Sequence, residues 1–303
     1  MEKRQDGLLK KFLYSSKVAP YIFVLPFLIS FSVFFLYPII STILMSFQDI
    51  LGPGQNEFIG FKNYTNLLNV HFYTAIWNSV CYTFWTLVVL IPMPVILAVF
   101  LNSKSLPFKK FFRASLFMPA LTSVVVAGIV FRLIFGETPG APLNTLLSFF
   151  GFQPIEWLRT VSVAMPILVV LATWRWTGIN IIYFLSGLQN IPKELYESSE
   201  IDGAGIFDKF FYITVPLLKP VIIYVLTISI YGGFAMFTES YVFWSNHSPA
   251  NAGLTIVGYL YQQGFEQNNF GFASATGIVL LLIVLILNLI QLRFFGLFKK
   301  GDV

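Results

Sequence analysis

Residues 191–220 read IPKELYESSEIDGAGIFDKFFYITVPLLKP, and they separate two long apolar runs, Val161–Leu188 and Pro220–Phe243. Five acids, Glu194, Glu197, Glu200, Asp202 and Asp208, crowd residues 194–208 of this stretch. Pro192 suits the first turn of a helix, because its missing N–H would have no partner there. Glu194 would then face the positive end of the helix dipole. Gly203 can adopt the left-handed conformation that ends a short helix. The pattern predicts a short helix, a turn, and a second short helix that feeds the next apolar run. Such an element can lie along a membrane face and present a knob to a partner.

The rest of the chain explains why its flanks are membrane spans. Of 303 residues, 56% are hydrophobic and only 11% charged. Soluble domains carry about 45–50% apolar and about 25% charged residues. The apolar excess must therefore face lipid. A helix needs about 20 mostly apolar residues to cross about 30 Å of hydrocarbon. Six runs meet this: 20–47, 77–101, 114–135, 161–188, 220–243 and 273–295. Pro26, Pro38, Pro92, Pro94 and Pro119 fall inside them, which membrane helices tolerate. The first run is too long for a signal-peptide core and reads as a retained span.

Lys and Arg orient the spans. With the N-terminus cytosolic, the inner side holds fifteen of them and the outer side three, Lys62, Arg132 and Arg159; Arg175 lies within a span. This bias follows the positive-inside rule and puts both termini inside. The expected layout is an all-α membrane protein of six transmembrane helices. Residues 1–19 form a cytosolic segment, 20–298 the transmembrane domain with a cytosolic loop at 190–216, and 299–303 a cytosolic tail. The cations are spread over span ends, not gathered on one face, which argues against nucleic-acid binding. Among the outer loops, residues 142–152 (PLNTLLSFFGF) show helical spacing and predict a short amphipathic helix at the interface.

Within the acidic loop, Glu197-Ser198-Ser199, then Gly203, then Ile213 and Val215-Pro216 carry a recognisable spacing. It resembles the permease signature of the binding-protein-dependent importers of the ABC class: Glu-Ala-Ala, three residues, Gly, nine residues, Ile, one residue, Leu-Pro. Serines replace both alanines and Val replaces Leu. Asp202-Gly203-Ala204 looks like the form in the sugar permeases of that class. FIGFKNY (58–64), WL (157–158), LQNIP (188–192) and FGFASA (270–275) look like further recurring segments. VLIPMPVILAVFLNS (89–103), WRWTGIN (174–180), ESYV (239–242) and GYLYQQG (258–264) are similar to arabino-oligosaccharide permeases.

The resemblance implies a type I ABC importer permease fold that pairs with a paralogous permease subunit as a heterodimer. Cytosolic ATP-binding subunits would receive the loop through Glu197, Ser198, Ser199, Asp202, Gly203, Ala204, Ile213 and Pro216. An extracytoplasmic sugar-binding protein would deliver the substrate. The setting would be the bacterial plasma membrane. The chain itself would be non-catalytic, and it contains no G-x-x-x-x-G-K-[ST] phosphate loop. No cofactor and no metal site is expected; His71 and His247 have no second ligand at close spacing.

For the substrate pathway, residues in spans 4 and 5 stand out. Arg175 lies about 21 Å along span 4, and a charge at that depth is usually functional or paired with a neighbouring span. Trp174 and Trp176 flank it and offer faces on which sugar C–H groups stack, and Asn180 is a pathway candidate whose amide would bind sugar hydroxyls. Glu239 lies about 30 Å along span 5, near its outer end, where it would be wet or would bind sugar hydroxyls. Tyr241, beside it, is a belt or pathway residue. The competing class is an ion-coupled secondary sugar transporter, which often uses acids at mid-membrane. The sequence places no acid there, and that class leaves the acidic loop without a purpose.

Overall fold

The computed structural model describes residues 15, 17–52, 55–103, 106–245 and 247–296. Most of the segment 1–19 and all of the tail 299–303 lie outside them. Helices dominate: α1 Ala19–Met45, α2 Lys62–Asn66, α3 Val70–Leu90, α4 Pro92–Asn102, α5 Lys109–Leu121, α6 Val124–Ile134 and α7 Pro142–Phe149. Then follow α8 Val161–Gln189, α9 Lys193–Ile201, α10 Lys219–Phe234, α11 Thr238–Trp244, α12 Ile256–Tyr261 and α13 Phe270–Phe294. One departure from an all-α chain is an antiparallel pair, β1 Gln48–Gly52 with β2 Gln55–Phe58. The Asn63 amide donates to the Ser46 and Gln48 carbonyls and ties this hairpin to the end of α1.

Among the described residues, five helices or helix pairs are long and apolar enough to cross a membrane, and a sixth is counted when the bent pair α5–α6 is taken as one span. Each coincides with one of the apolar runs. Several of these spans are interrupted. Between α5 and α6 the axis turns by 97°. Pro119 removes a backbone donor one turn before the break, and Thr122 and Ser123 adopt extended ψ angles. Between α10 and α11 the helix stops over Ala235–Phe237. The Thr255 hydroxyl donates to the Met236 carbonyl at 2.8 Å, so this break is hydrogen-bonded in the core.

The regular helix is interrupted at Ile91 between α3 and α4, where Pro92 and Pro94 follow. Pro94 has no N–H for the carbonyl four residues earlier, that of Leu90. The side chain of Asn180 on α8 donates to that carbonyl at 3.0 Å. Helix α1 widens into a π turn at Ser32–Leu36, just before Pro38, which gives the proline ring room.

Helix α8 is the axis of the molecule and packs against α3, α4, α5 and α10. At Gly178 a Cβ would collide with the backbone of Leu116 and Phe117, so α8 and α5 touch main chain to main chain. Beyond the breaks, α6 packs on α11. The chain then folds back inward: Asn78 on α3 donates to the Asn251 and Leu254 carbonyls, and the Ser79 hydroxyl accepts from the Ile256 N–H at the start of α12. Three apolar clusters fill the core. One surrounds Leu168, Leu171 and Phe243, one Ile181, Phe184 and Leu218, and one Phe234, Ile256 and Phe272.

Candidate functional site

Two places in the fold gather the residues singled out in the sequence. The first is the projection between α8 and α10. Helix α9 starts after Pro192, which stands as its N-cap, with Glu194 in the first turn. Gly203 ends it at φ +83°. The Ala204 N–H reaches the Ser199 carbonyl and the Gly203 N–H the Glu200 carbonyl, a Schellman closure in which a Cβ at 203 would be strained. The Asp208 carboxylate then accepts from the Gly205 N–H and starts the second helical segment, which runs through Pro216 into α10.

Two contacts lock the halves together. Lys209 bridges to Glu200 at 2.7 Å, and the Tyr196 and Thr214 hydroxyls meet at 2.9 Å. The result is a stiff hook. Its outer surface carries Glu197, Ser198 and Asp202, all exposed, and the bare side chains of Ile201, Ile206 and Phe207. These apolar side chains are 78–88% exposed, and such patches mark contacts with a protein or a membrane. The sequence reading overlooked these three, although an apolar residue in a polar loop was the available signal. Ile213 is half-buried at the root of the hook and Pro216 lies exposed beside it, where the second segment joins α10.

The second place lies beside the break in span 5. Here one expectation is overturned. Glu239 is not at a wet helix end: it is 8% exposed and its carboxylate lies 3.3 Å from Arg175 Nη1. The break redirects α11 so that Glu239, in its first turn, faces α8. Straight-helix arithmetic could not see this. Arg175 also lies over the Trp176 ring, 5.2 Å from guanidinium to centroid. One hydrogen bond is a small share of five guanidinium donors, and Arg175 Nε is buried with no partner among the described residues. Burial costs each ion several kcal/mol of solvation, which its partner and further hydrogen bonds must offset.

The remaining pathway residues separate. Trp174 is 41% exposed and its ring tilts against Phe131 at 5.4 Å; Trp176 is equally exposed on the other side of Arg175. Tyr241 is half-exposed and packs against Phe237 and Tyr261. Asn180 is 3% exposed, and its amide is spent on the Leu90 carbonyl. The structure thus joins Arg175, Trp176 and Glu239, keeps Tyr241 nearby on the same short helix as Glu239, and sets Asn180 apart in the helix packing. The burial of Glu239 also removes the argument that no acid lies within the spans.

A family model described as binding-protein-dependent transport system inner membrane component matches residues 70–300. The chain belongs to this family. The match runs from the start of α3 past the end of α13 and so includes both sites. The arabinooligosaccharides transport system permease protein AraP of Bacillus subtilis (strain 168) is 58% identical over 98% of this chain and 94% of its own length. The protein of the same name from Halalkalibacterium halodurans is 52% identical over 99% of this chain and 94% of its own. Among solved structures, a bacterial alginate ABC transporter in complex with alginate pentasaccharide-bound periplasmic protein contains a chain with TM-score 0.82. At 23% identity over 97% of this chain and 100% of that one, the likeness is one of fold. As an inner membrane component of such a system, the chain is a non-catalytic permease subunit in a multi-pass membrane setting.

Proposed function

We propose that this subunit forms one half of the translocation pathway of an ATP-driven oligosaccharide importer, with arabino-oligosaccharides the first substrates to try. The hook of α9 and the segment after it carries the reading. It combines the signature residues Glu197, Ser198, Ser199, Asp202, Gly203, Ala204, Ile213 and Pro216 with an exposed apolar tip and an internally braced frame. A cytosolic ATPase that receives this tip would pull on α10 through Pro216 and on α8 through Ile191. In this reading six spans cross the membrane, with both termini cytosolic, and the partner is a paralogous permease. An extracytoplasmic sugar-binding protein loads the outer face. Trp174, Arg175, Trp176, Glu239 and Tyr241 supply aromatic faces and hydrogen-bonding groups to the pathway, and Asn180 ties the end of α3 to α8. The substrate assignment follows the two arabinooligosaccharide permeases to which the chain is similar.

The test uses the assembled transporter. Uptake of arabino-oligosaccharide should stop when the ATPase cannot hydrolyse ATP and persist when the proton gradient is collapsed; the opposite pattern refutes the reading. Glu197→Lys should release the ATPase during purification while the permease stays folded. Retention of the ATPase by this variant would remove the docking assignment.

A further inference from the structure

Five aromatic rings form a continuous series on the face of α11 and α12 turned away from the core. Phe237 lies 5.0 Å from Tyr261 and 5.2 Å from Tyr241, and Tyr241 lies 5.5 Å from Tyr261. Tyr261 continues to Phe265 at 5.4 Å, and Phe265 to Phe270 at 6.0 Å. The series starts in the break of span 5, two residues from Glu239, and ends at the first residue of α13. Exposure rises from half-buried Phe237, Tyr241 and Tyr261 to 63% at Phe265 and falls to 40% at Phe270.

Neither a core nor a plain lipid face explains this arrangement. The opposite faces of the same helices are the packed ones: Glu239, Ser240 and Phe243 on α11, and Ile256, Gly258 and Tyr259 on α12. Polar side chains are interleaved with the rings. Thr238 and Gln263 are half-exposed, and Glu266 and Gln267 are exposed at the open end. The helical turn that carries Tyr261's neighbours is a π turn, Gln262–Glu266, which rotates Phe265 onto the face of Tyr261. Such turns occur often at functional sites. Helix α1, exposed along its length, also stacks rings, Phe27 on Phe31 and Phe31 on Phe35, but it carries no amide or carboxylate side chain among them. Flat rings at steps of 5–6 Å, with amides and a carboxylate alongside, match the two faces of a sugar chain, apolar C–H patches and hydroxyl edges.

We infer that Phe237, Tyr241, Tyr261, Phe265 and Phe270 form a carbohydrate track that receives successive rings of a neutral oligosaccharide and hands the leading ring to Arg175 and Glu239. The inference rests on the oligosaccharide-import reading above. Because the track contacts several rings at once, it acts on chain length: longer oligomers engage more of it.

The test compares Tyr261→Ala and Phe265→Ala with Tyr261→Trp in the complete transporter, using arabino-oligosaccharides of increasing length. The alanine variants should raise the transport KM by about tenfold for the longest oligomers, equivalent to about 1.4 kcal/mol, and less for the shortest. Tyr261→Trp should restore it, and ATPase activity stimulated by the binding protein should stay. A second measurement places a cysteine at 261 in a Cys81→Ser background: a water-soluble thiol reagent should label it, and oligosaccharide should slow the labelling. An unchanged KM at every length, or a cysteine inert to the reagent, makes the track a lipid face and overturns the proposal. Loss of the partner permease from the alanine variants makes it a subunit interface and overturns it equally. If the wild-type transporter moves no oligosaccharide, the failure lies in the functional reading itself.

Discussion

Helices α1 and α8 are nearly equal in length, 27 and 29 residues, and both are apolar enough to span a bilayer. Their surroundings are opposite. Over its most apolar stretch α1 buries none of its residues in the chain, whereas α8 buries half. Helix α1 is apolar on every side, with Phe23, Phe34 and Tyr37 more than 70% exposed. Helix α8 carries the small and polar residues: Thr177, Gly178 and Asn180 are buried in its middle, beside Arg175. In water the most apolar helix would be the most buried. In lipid this reverses, because hydrocarbon tails satisfy apolar side chains as well as protein does, while polar groups must find protein partners. The buried helix is therefore marked by its small and polar residues.

This contrast can be broken most severely at Arg175. Replacing it with Ala leaves Glu239 buried without its counter-ion and should lower stability by about 3–5 kcal/mol. Thermal unfolding in detergent would measure this, and adding Glu239→Gln should recover much of the loss. If the double variant is no better than the single one, the pair is not a unit. Gly178→Ala comes next. Its methyl group meets the Leu116 backbone and must push α5 away, an overpacking worth about 1–3 kcal/mol. Cross-linking between α5 and α8 should weaken along with the melting temperature. The smallest effect belongs to α1: Phe23→Ala should change the unfolding of the isolated subunit by less than about 0.5 kcal/mol, as exposed positions do. A large effect there would mean that α1 packs on its own chain.

The hook was legible in advance because its signals are local. Glu194, Gly203 and Pro192 lie within a dozen residues, and each acts through its own turn of backbone. The Arg175–Glu239 pair was not read as a pair. Its members lie 64 residues apart, and the uniform rise assumed for span 5 put Glu239 too far along. The usable signal was that two opposite charges in neighbouring spans tend to meet. Asn180 was read as a pathway residue for a similar reason: the open carbonyl it serves belongs to Leu90, ninety residues earlier.

The sequence by itself determined the membrane class, the apolar runs and their extents, and the signature loop. These depend on composition and on spacing along one helix, which neighbouring residues enforce. Only the tertiary structure decided where spans 3 and 5 break, which charges meet, and which aromatic rings align. Those outcomes depend on side chains from distant helices competing for the same buried hydrogen bonds. A proline removes a donor at a position the sequence names, but the group that replaces it comes from whichever helix packs there.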